Sequence, residues 1–364
     1  MSVLVPIRNE GAIIRDSSRT IVGQRFAGDI EYLMIDGNSE DDTRPILEEL
    51  ALRDARVTIL DNPAGDLASA LNVGLAAARG EFVAKMDAHS YFPPTYLQDG
   101  VDRLRQGDVS WVSGPQIPQG EKPWSRRVAL ALGTRLGVGG SRKWRSASSP
   151  SASEDERELD TGVFSGVWRR SVLVALGGWD PDWPVNEDSE LASRFLGSGE
   201  RILCLSSMGA HYVPRASLPG LARQYWRYGY YRAKTAVRHP ASMRPSHLAP
   251  PALALAALGG ALGGRRIRGP AQLALTAYAV AVVYESEHAT RQGYRRDAPL
   301  LPLVFITMHL SFGTGFLAGC LRFGVPLKAF ALALGGPKGR FGSATTRVPS
   351  ESGTGQTPTS DGYR

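Results

Sequence analysis

Short apolar runs alternate with amphipathic stretches along the first third of the chain. The runs have the length of β-strands, and the stretches between them have helical spacing. Strands that alternate with helices favour right-handed crossovers and a mainly parallel sheet. We expect Asp66 to cap one helix at its start and Gly80 to stop it. The predicted strands are 3–7, 31–35, 57–60, 82–86 and 109–112, and the predicted helices are 12–22, 43–52, 66–78 and one opened by Pro93 and Pro94.

A different composition interrupts this pattern in the middle of the chain. Residues 141–158 are rich in serine and charge and have no apolar periodicity, which predicts a mobile loop. Ordered patterning returns at Asp160 and continues through an amphipathic helix predicted over 218–237. The loop is expected to close over a site and exclude water.

The last third of the chain is strongly apolar. A membrane-spanning helix needs ~20 apolar residues, with a range of about 17 to 25, and only the third apolar segment reaches this length comfortably. Gly260/Gly264 and Gly315/Gly319 have a spacing that permits close helix contact. We predict a membrane-associated helical region at 247–335 and a disordered tail at 336–364; the alternative is buried helices of a soluble domain. The three apolar segments are 248–264, 270–284 and 300–321.

The topology of these segments is constrained by three arginines. If all three segments cross and the first 240 residues are cytoplasmic, Arg265, Arg266 and Arg268 lie outside, against the positive-inside tendency. A first segment that lies in the membrane interface, with only the later two crossing, removes this conflict.

Composition and charge narrow the function classes. A hydrophobic share of 43% and a charged share of 21% are typical of a folded protein. The net charge of +7 permits an anionic partner. The basic residues lie beside apolar runs rather than in one stripe with aromatic residues, which favours a membrane surface and argues against nucleic acid. Two distant cysteines, Cys204 and Cys320, predict neither a disulfide nor a metal site, and no signal peptide opens the chain, so we expect a cytoplasmic catalytic domain.

Polar residues follow three of the predicted strands. In an open α/β sheet, ligands bind beyond the carboxyl ends of the strands. The first strand is followed by residues 8–10, the second by 36–39 and the fourth by Asp87 and His89. An acidic rim repels a bare diphosphate, so a divalent cation is needed between them. Asp and His are ligands for Mn²⁺, and carboxylates also suit Mg²⁺.

A second acidic group occupies residues 186–190, at the start of a predicted helix. Capping is one explanation, because carboxylates are favourable at a helix N-terminus. The functional alternative is that Asp188 is a general base that takes the proton of an attacking hydroxyl. Further along, residues 223–229 carry arginines and aromatic side chains that could hold a diphosphate and stack on a sugar. A helix that rests on a membrane would look similar.

Five short motifs follow one another in a fixed order over residues 1–240. This ordered set resembles the family 2 glycosyltransferases, which have the GT-A fold, and especially their bacterial exopolysaccharide branch with succinoglycan-type glucosyltransferases. His89 departs from the Asp-x-Asp of the general pattern, and Tyr228 replaces the tryptophan of the Gln-x-x-Arg-Trp element. The motifs are Val5-Pro6-Ile7-Arg8-Asn9-Glu10, Asp36-Gly37-Asn38-Ser39, Asp87-Ala88-His89, Glu187-Asp188 and Gln224-Tyr225-Trp226-Arg227-Tyr228.

The resemblance implies a role for each matched residue. Asp36 would contact the base or ribose of the nucleotide, Asp87 would contact the ribose or the metal, and His89 would bind the metal. Asp188 would be the catalytic base and Glu187 its neighbour on the acceptor side. Trp179 is also assigned to the acceptor side, and the remaining donor-binding assignments are Pro6, Arg8, Glu10, Asn72, Gln224 and Arg227.

The sequence therefore predicts an α/β protein with a GT-A type, mainly parallel sheet at 1–240 and apolar helices behind it. The expected activity is inverting transfer from a nucleoside-diphosphate sugar, with uridine implied by the resemblance, to a lipid-linked or saccharide acceptor in exopolysaccharide biosynthesis. The expected cofactor is a divalent cation, Mn²⁺ or Mg²⁺. Two alternatives stay open: a polyprenyl-phosphate sugar synthase, in which Asp188 would be dispensable, and a non-catalytic membrane scaffold with a nucleotide-binding fold.

Overall fold

A computed structural model describes residues 1–139, 141, 143–144, 155–291 and 293–335 of the chain. Its strands are β1 Ser2–Ile7, β2 Glu31–Asp36, β3 Val57–Asp61, β4 Phe82–Lys85, β5 Ser90–Tyr91, β6 Trp111–Ser113, β7 Gln116–Pro118, β8 Glu156–Leu159, β9 Gly166–Arg169, β10 Ile202–Leu205 and β11 Ala210–Tyr212. Its α-helices are α1 Ile14–Val22, α2 Thr43–Arg53, α3 Leu67–Ala77, α4 Tyr96–Arg105, α5 Pro123–Leu132, α6 Arg135–Val138, α7 Arg170–Ala175, α8 Glu187–Gly197, α9 Leu218–Arg238, α10 Ala249–Leu262, α11 Arg265–Thr290, α12 Leu301–Phe323 and α13 Leu327–Leu334.

Eight of the described strands form one sheet in the order β3-β2-β1-β4-β9-β6-β10-β8. Strands β1 to β4 run parallel to one another, as the alternating pattern predicts. Strand β9 lies between β4 and β6 and runs antiparallel to both, so the series of parallel strands ends at β4. A small second sheet has the order β5-β11-β7. The predicted GT-A type, mainly parallel sheet with flanking helices is confirmed.

The first strand shows why the sequence folds in three layers. Val3, Leu4 and Val5 are all fully buried, because helices cover both faces of a parallel sheet. Val3 and Val5 pack in the cluster that contains residues of α1, α2 and α4. Leu4 points to the opposite face and packs in the cluster that contains residues of α3 and α8. The strand ends therefore open at one edge, between the two helical layers.

The element boundaries agree with the sequence pattern at most places. Asp66 caps α3 by accepting a hydrogen bond from the Ser69 N–H at 2.9 Å. Helix α3 ends at Ala77, three residues before Gly80; a side chain at Gly80 would meet the Met1 backbone at 2.7 Å, so this glycine serves close packing instead.

The C-terminal end of the segment predicted to be a loop is a strand in the structure. Residues 156–158 belong to β8, which pairs antiparallel with β10. In that strand Arg157 and Leu159 are buried while Glu156 and Glu158 are exposed, and this alternation is hidden among the charges of the sequence. Residues 145–154, the centre of the predicted loop, and the predicted disordered tail at 336–364 lie outside the described residues.

The C-terminal helices pack against the sheet domain through α9. A side chain at Gly315 would lie 2.1 Å from the Trp226 carbonyl oxygen, and one at Gly319 would lie 2.5 Å from that of Tyr230. The Gly315/Gly319 spacing thus serves close contact between α12 and α9, whereas a side chain at Gly264 would meet nothing within 4 Å. Within the part of the chain that the structure describes, one helical stretch, Arg295–Phe323, is long and apolar enough to cross a membrane by length and composition.

Candidate active site

A cavity of about 840 Å³ opens at the carboxyl edge of the sheet, where α8, α9 and the C-terminal helices meet. It brings together residues from three of the predicted motifs. The sequence-predicted residues that line it are Asp87, His89, Glu187, Asp188, Gln224 and Arg227. Asp87 and Asp188, which are about a hundred positions apart in the chain, therefore face one space.

A buried lysine joins the two acidic motifs. Lys85 is the last residue of β4, and its Nζ lies 3.2 Å from Oε1 of Glu187 and 3.6 Å from Oδ1 of Asp87. Burial by itself lowers the pKa of Lys85, but the carboxylates of Asp87 and Glu187 outweigh it, so the pKa is raised and the ammonium stays charged. Burial raises the pKa of Glu187 and outweighs the opposing effect of Lys85.

Lys85 is a functional residue that the motif-based reasoning missed. One signal could have revealed it: a single lysine in the apolar run 82–86, whose neighbours are all buried. A lysine in the middle of a buried strand needs an opposite charge close by. Its presence predicts carboxylates at the end of β4 and on a neighbouring element.

His89 lies between the sheet edge and the cavity. Its Nδ1 is 3.3 Å from Oε1 of Glu10, which follows β1. Burial opposes the charged imidazole, but the contacts with Glu10 and Asp87 prevail and raise the pKa of His89. Glu10 is itself held in place, because its N–H donates to Thr43 Oγ1 at 2.8 Å.

Asp188 lies in the first turn of α8, and two contacts with the backbone of other segments hold this turn in place. Asn186, with φ of 64°, begins the helix and donates from Nδ2 to the Tyr228 carbonyl oxygen on α9 at 3.1 Å. Gly162 packs so closely that a side chain there would meet the Asp188 carbonyl oxygen at 2.1 Å.

The capping explanation of the acidic run is not supported by a side-chain capping bond. Three acids lie in the first turn of α8, but its N-cap Asn186 makes no side-chain capping bond, and the 2.8 Å contact of Asp188 with the Ser189 N–H joins adjacent residues. Glu190 is buried and bonded to Arg194 and His239, which is a structural role. Of the three acids, Glu187 and Asp188 line the cavity and Glu190 does not.

Helix α9 forms the wall opposite the sheet. Nε2 of Gln224 donates to the hydroxyl oxygens of Tyr228, at 2.9 Å, and Tyr212, at 3.2 Å. Arg223 and Arg227 line the cavity and are exposed. Trp226 stacks on Tyr230 and is not among the lining residues. The aromatic wall of the cavity on this side is therefore made by the tyrosines.

Besides Glu10, which contacts His89 from outside the cavity, five of the predicted site residues lie outside the lining of this cavity. Asp36 is buried at the end of β2, where its carboxylate accepts from Ser39 Oγ at 2.6 Å and lies 3.5 Å from Arg44. Pro6 is in β1, opposite Ile35. Arg8 donates to the Gly65 carbonyl oxygen at 2.8 Å. These three lie at the same sheet edge as Asp87 but not around the cavity.

The remaining two, Asn72 and Trp179, bind each other. The side-chain amide of Asn72 donates to the Trp179 carbonyl oxygen at 2.6 Å and accepts the Trp179 N–H at 3.0 Å. The Trp179 ring is buried against Trp168. The structure therefore places neither of them in contact with the cavity, and their pairing ties α3 to the segment before α8.

The side chains at the edge of the cavity provide some of the ligands that a metal ion needs. Across the described ranges no group of three or more His, Cys, Asp or Glu side chains is arranged to hold a metal ion. Asp87 and His89 supply one carboxylate and one imidazole, and further ligands would have to come from a bound molecule. The Glu10–His89 contact matches the common arrangement in which a metal-binding histidine donates its other N–H to a carboxylate.

Comparison with known proteins extends these observations. The family model described as glycosyl transferase family 2 matches residues 2–165. The succinoglycan biosynthesis protein ExoA of Rhizobium meliloti is 29% identical over 324 residues, which cover 88% of this chain and 95% of that protein. The beta-monoglucosyldiacylglycerol synthase of Trichormus variabilis is 26% identical over 213 residues, 53% of this chain and 40% of that enzyme.

The fold also has a solved counterpart. The mannosyltransferase PcManGT from Pyrobaculum calidifontis, solved in complex with GDP-Man and Mn²⁺, superposes with a TM-score of 0.56 at 21% identity. The superposition covers 87% of this chain and 86% of that one. At this level of identity the likeness concerns the fold, including the helices that follow the sheet domain.

Proposed function

Because residues 2–165 form a glycosyltransferase family 2 domain and the chain is a glycosyltransferase, we propose that it transfers a sugar, with inversion, from a nucleoside-diphosphate donor to a hydroxyl group. The observation that carries the proposal is that Asp87 and Asp188 line one cavity and are linked through Lys85 and Glu187. A cavity of about 840 Å³ has room for a sugar nucleotide and part of an acceptor.

Asp188 is the general base in this proposal. Inverting transfer needs one carboxylate within hydrogen-bond reach of the attacking hydroxyl, on the side of the sugar opposite the departing diphosphate. Asp188 is partly exposed to the cavity, whereas Glu187 is buried and held by Lys85. Glu187 therefore fixes the start of α8, and Asp188 is left to accept the proton.

Asp87 and His89 would hold a divalent cation together with the donor diphosphate. A carboxylate and an imidazole suit Mn²⁺, and the carboxylate also suits Mg²⁺. When bound, the cation supplies Lewis-acid stabilisation of the departing diphosphate. Asp36, Pro6, Arg8 and Glu10 lie at the neighbouring strand ends and would surround the nucleotide beyond this cavity.

The proposed acceptor is a lipid-linked or saccharide hydroxyl in exopolysaccharide biosynthesis. The name of the Rhizobium relative refers to succinoglycan biosynthesis, and that relative is matched over nearly its whole length. The name of the Trichormus relative refers to a glycolipid. The two names support a polysaccharide or a glycolipid as the product that receives the sugar.

We also propose that residues 247–335 associate with the cell membrane and that the catalytic domain faces the cytoplasm. Large apolar side chains are exposed mainly on α10, α11, α12 and α13. Examples are Leu262, Leu273, Val280 and Leu321. Such a surface is rare in contact with water and is common where a protein meets lipid.

The test is a donor screen with the purified full-length chain and membranes as the acceptor source, following release of nucleoside diphosphate. We expect one donor, a UDP-sugar before others, to be consumed only when acceptor and Mn²⁺ or Mg²⁺ are present. His89→Ala should raise the metal concentration needed for half-maximal rate, while His288→Ala, an exposed histidine on α11, should not. Absence of acceptor-dependent release with every donor would refute the proposal.

A further inference from the structure

Three of the cationic side chains that line the cavity lie close enough to repel one another. They are Lys143, Arg232 on α9 and Arg244. Arg232 is only 8% exposed, and its guanidinium donates to the Ser189 hydroxyl at 3.0 Å. A buried arginine is costly unless an opposite charge lies close to it, and the carboxylate that attracts Arg232 is that of Asp188, the proposed base.

The charges around this group are poorly balanced. Arg244 pairs with Asp160, with Nε 3.2 Å from Oδ2. Nζ of Lys143 lies 3.5 Å from the Gly162 carbonyl oxygen, and Gly162 packs on the backbone of Asp188. Burial and, to a lesser extent, the charge of Arg244 lower the pKa of Arg232 to about 10 against the attraction of Asp188. Burial, Arg232 and Arg244 together lower the pKa of Lys143 against the attraction of Asp188. A bound anion would relieve this repulsion.

The same cavity has an apolar end next to the cations. Leu136, Val138, Leu253, Met308 and Phe312 line it, from α6, α10 and α12. These side chains face Asp87 and Asp188 across one continuous space. The cavity therefore offers acids at the sheet edge, cations beside them and apolar walls between the C-terminal helices.

We propose that Lys143, Arg232 and Arg244 bind the phosphate groups of an acceptor that carries them on an apolar chain, with the chain lying against Leu253, Met308 and Phe312. This inference rests on the proposed function, because it names the class of acceptor that the same site takes. The phosphate is a binding handle here, and the hydroxyl whose proton Asp188 accepts belongs to the sugar that the phosphate carries.

The donor diphosphate is a poorer match for these three cations. The proposed metal ligands Asp87 and His89 already provide for it, together with the exposed Arg223 and Arg227. Arg232 lies five residues beyond Arg227 on α9, which is about 7.5 Å further along the helix axis. Arg232 is also buried, whereas Arg223 and Arg227 are exposed, so the two groups of cations on α9 have different surroundings.

Binding of defined probes to the purified full-length chain tests the inference. Farnesyl diphosphate supplies both parts, farnesol lacks the phosphates and inorganic pyrophosphate lacks the chain. We expect the wild type to bind farnesyl diphosphate more tightly than either fragment. Arg232→Gln and Lys143→Gln should each weaken that binding about tenfold, the scale of one lost charge-assisted hydrogen bond. Arg19→Gln, on the exposed face of α1, should leave it unchanged.

Binding of UDP and GDP with Mn²⁺, measured on the same proteins, separates the outcomes. We expect nucleotide binding to be unaffected by Lys143→Gln, which lies outside the helices and strands and therefore also guards against misfolding of Arg232→Gln. Equal weakening of nucleotide and farnesyl diphosphate by both variants would assign the cations to the donor and overturn the inference. No preference of the wild type for farnesyl diphosphate over farnesol would overturn it while leaving the proposed function intact. If neither UDP nor GDP binds, both the inference and the proposed function are overturned.

Discussion

At the scale of single residues, the buried cluster of Lys85, Asp87 and Glu187 decides how the cavity is held together. An ammonium between two carboxylates compensates charges that burial alone would not tolerate. The cluster fixes the end of β4 relative to the start of α8. The proposed metal ligand Asp87 and the proposed base Asp188 are thereby kept at a constant separation.

Replacing Lys85 with methionine should therefore destabilise the protein strongly. The change leaves Asp87 and Glu187 without their common counter-ion, and such losses cost about 3–5 kcal/mol. Chemical denaturation of the full-length chain would measure this. Lys122→Met, an exposed lysine, is the matched control and should change little. The double variant Lys85→Met/Glu187→Gln should recover part of the loss, and a single variant as stable as the wild type would refute this role.

The residue scale also shows what the sequence could and could not predict about the site. Asp87, His89, Glu187 and Asp188 were found because they stand directly after a strand or at a helix start, where local pattern predicts exposure to a ligand. Lys143, Arg232 and Arg244 were missed as a group. They come together only through tertiary contacts, of Lys143 with Gly162, of Arg232 with Ser189 and of Arg244 with Asp160, which no local pattern encodes.

At the scale of elements, the Asn72–Trp179 contact gives a structural role to a residue predicted to bind the donor. The two residues are 107 positions apart, and both backbone groups of Trp179 are satisfied by one side-chain amide. The sequence placed Asn72 correctly on the helix that precedes β4. It could not show that the amide pairs with the backbone of a distant segment.

Asn72→Ala should accordingly lower stability without changing donor affinity. It leaves the N–H and C=O of the buried Trp179 unpaired, at a cost of about 1–3 kcal/mol for each buried group without a partner. Thermal unfolding and titration with UDP in the presence of Mn²⁺ would measure the two quantities side by side. Gln106→Ala removes an exposed amide and is the control. Loss of nucleotide affinity with unchanged stability would restore the ligand role.

The contact between α9 and α12 is a second feature at the scale of elements. Gly229 of α9 and Gly315 of α12 each face the backbone of the other helix. A Cβ atom added at Gly229 would lie 2.0 Å from the Phe312 carbonyl oxygen, and one added at Gly315 would lie 2.1 Å from the Trp226 carbonyl oxygen. The apolar length of α12 was readable from the sequence, as was its glycine spacing. Its partner was not, because the partner helix carries its own charged and aromatic face.

Gly315→Ala should separate α9 from α12 and reduce activity along with stability. Overpacking of this kind costs about 1–3 kcal/mol. The control Gly269→Ala, on α11, meets nothing within 4 Å and should be neutral or stabilising by up to about 1 kcal/mol. Thermal unfolding in detergent and the rate of sugar transfer would be compared for both. Equal behaviour of the two variants would contradict the importance of the close contact.

At the scale of the whole molecule, the cavity belongs to the sheet domain and the C-terminal helices jointly. The sheet edge supplies the acids, α9 supplies cations and tyrosines, and α10 and α12 supply the apolar walls. The sequence suggested a catalytic part and a membrane part joined in series. The structure shows that the second part completes the site of the first, so the site reaches the helices proposed to meet the membrane.

The measurement that tests the central claim most directly is single-turnover sugar transfer by Asp188→Asn, with donor binding measured on the same sample. We predict transfer slowed by about 10²- to 10⁴-fold, the usual contribution of a general base, with unchanged donor affinity. Asp182→Asn, an exposed carboxylate six residues earlier, should transfer at the wild-type rate. Near-normal transfer by Asp188→Asn would contradict the role of Asp188 and would favour an acceptor, such as a lipid phosphate, that needs no base.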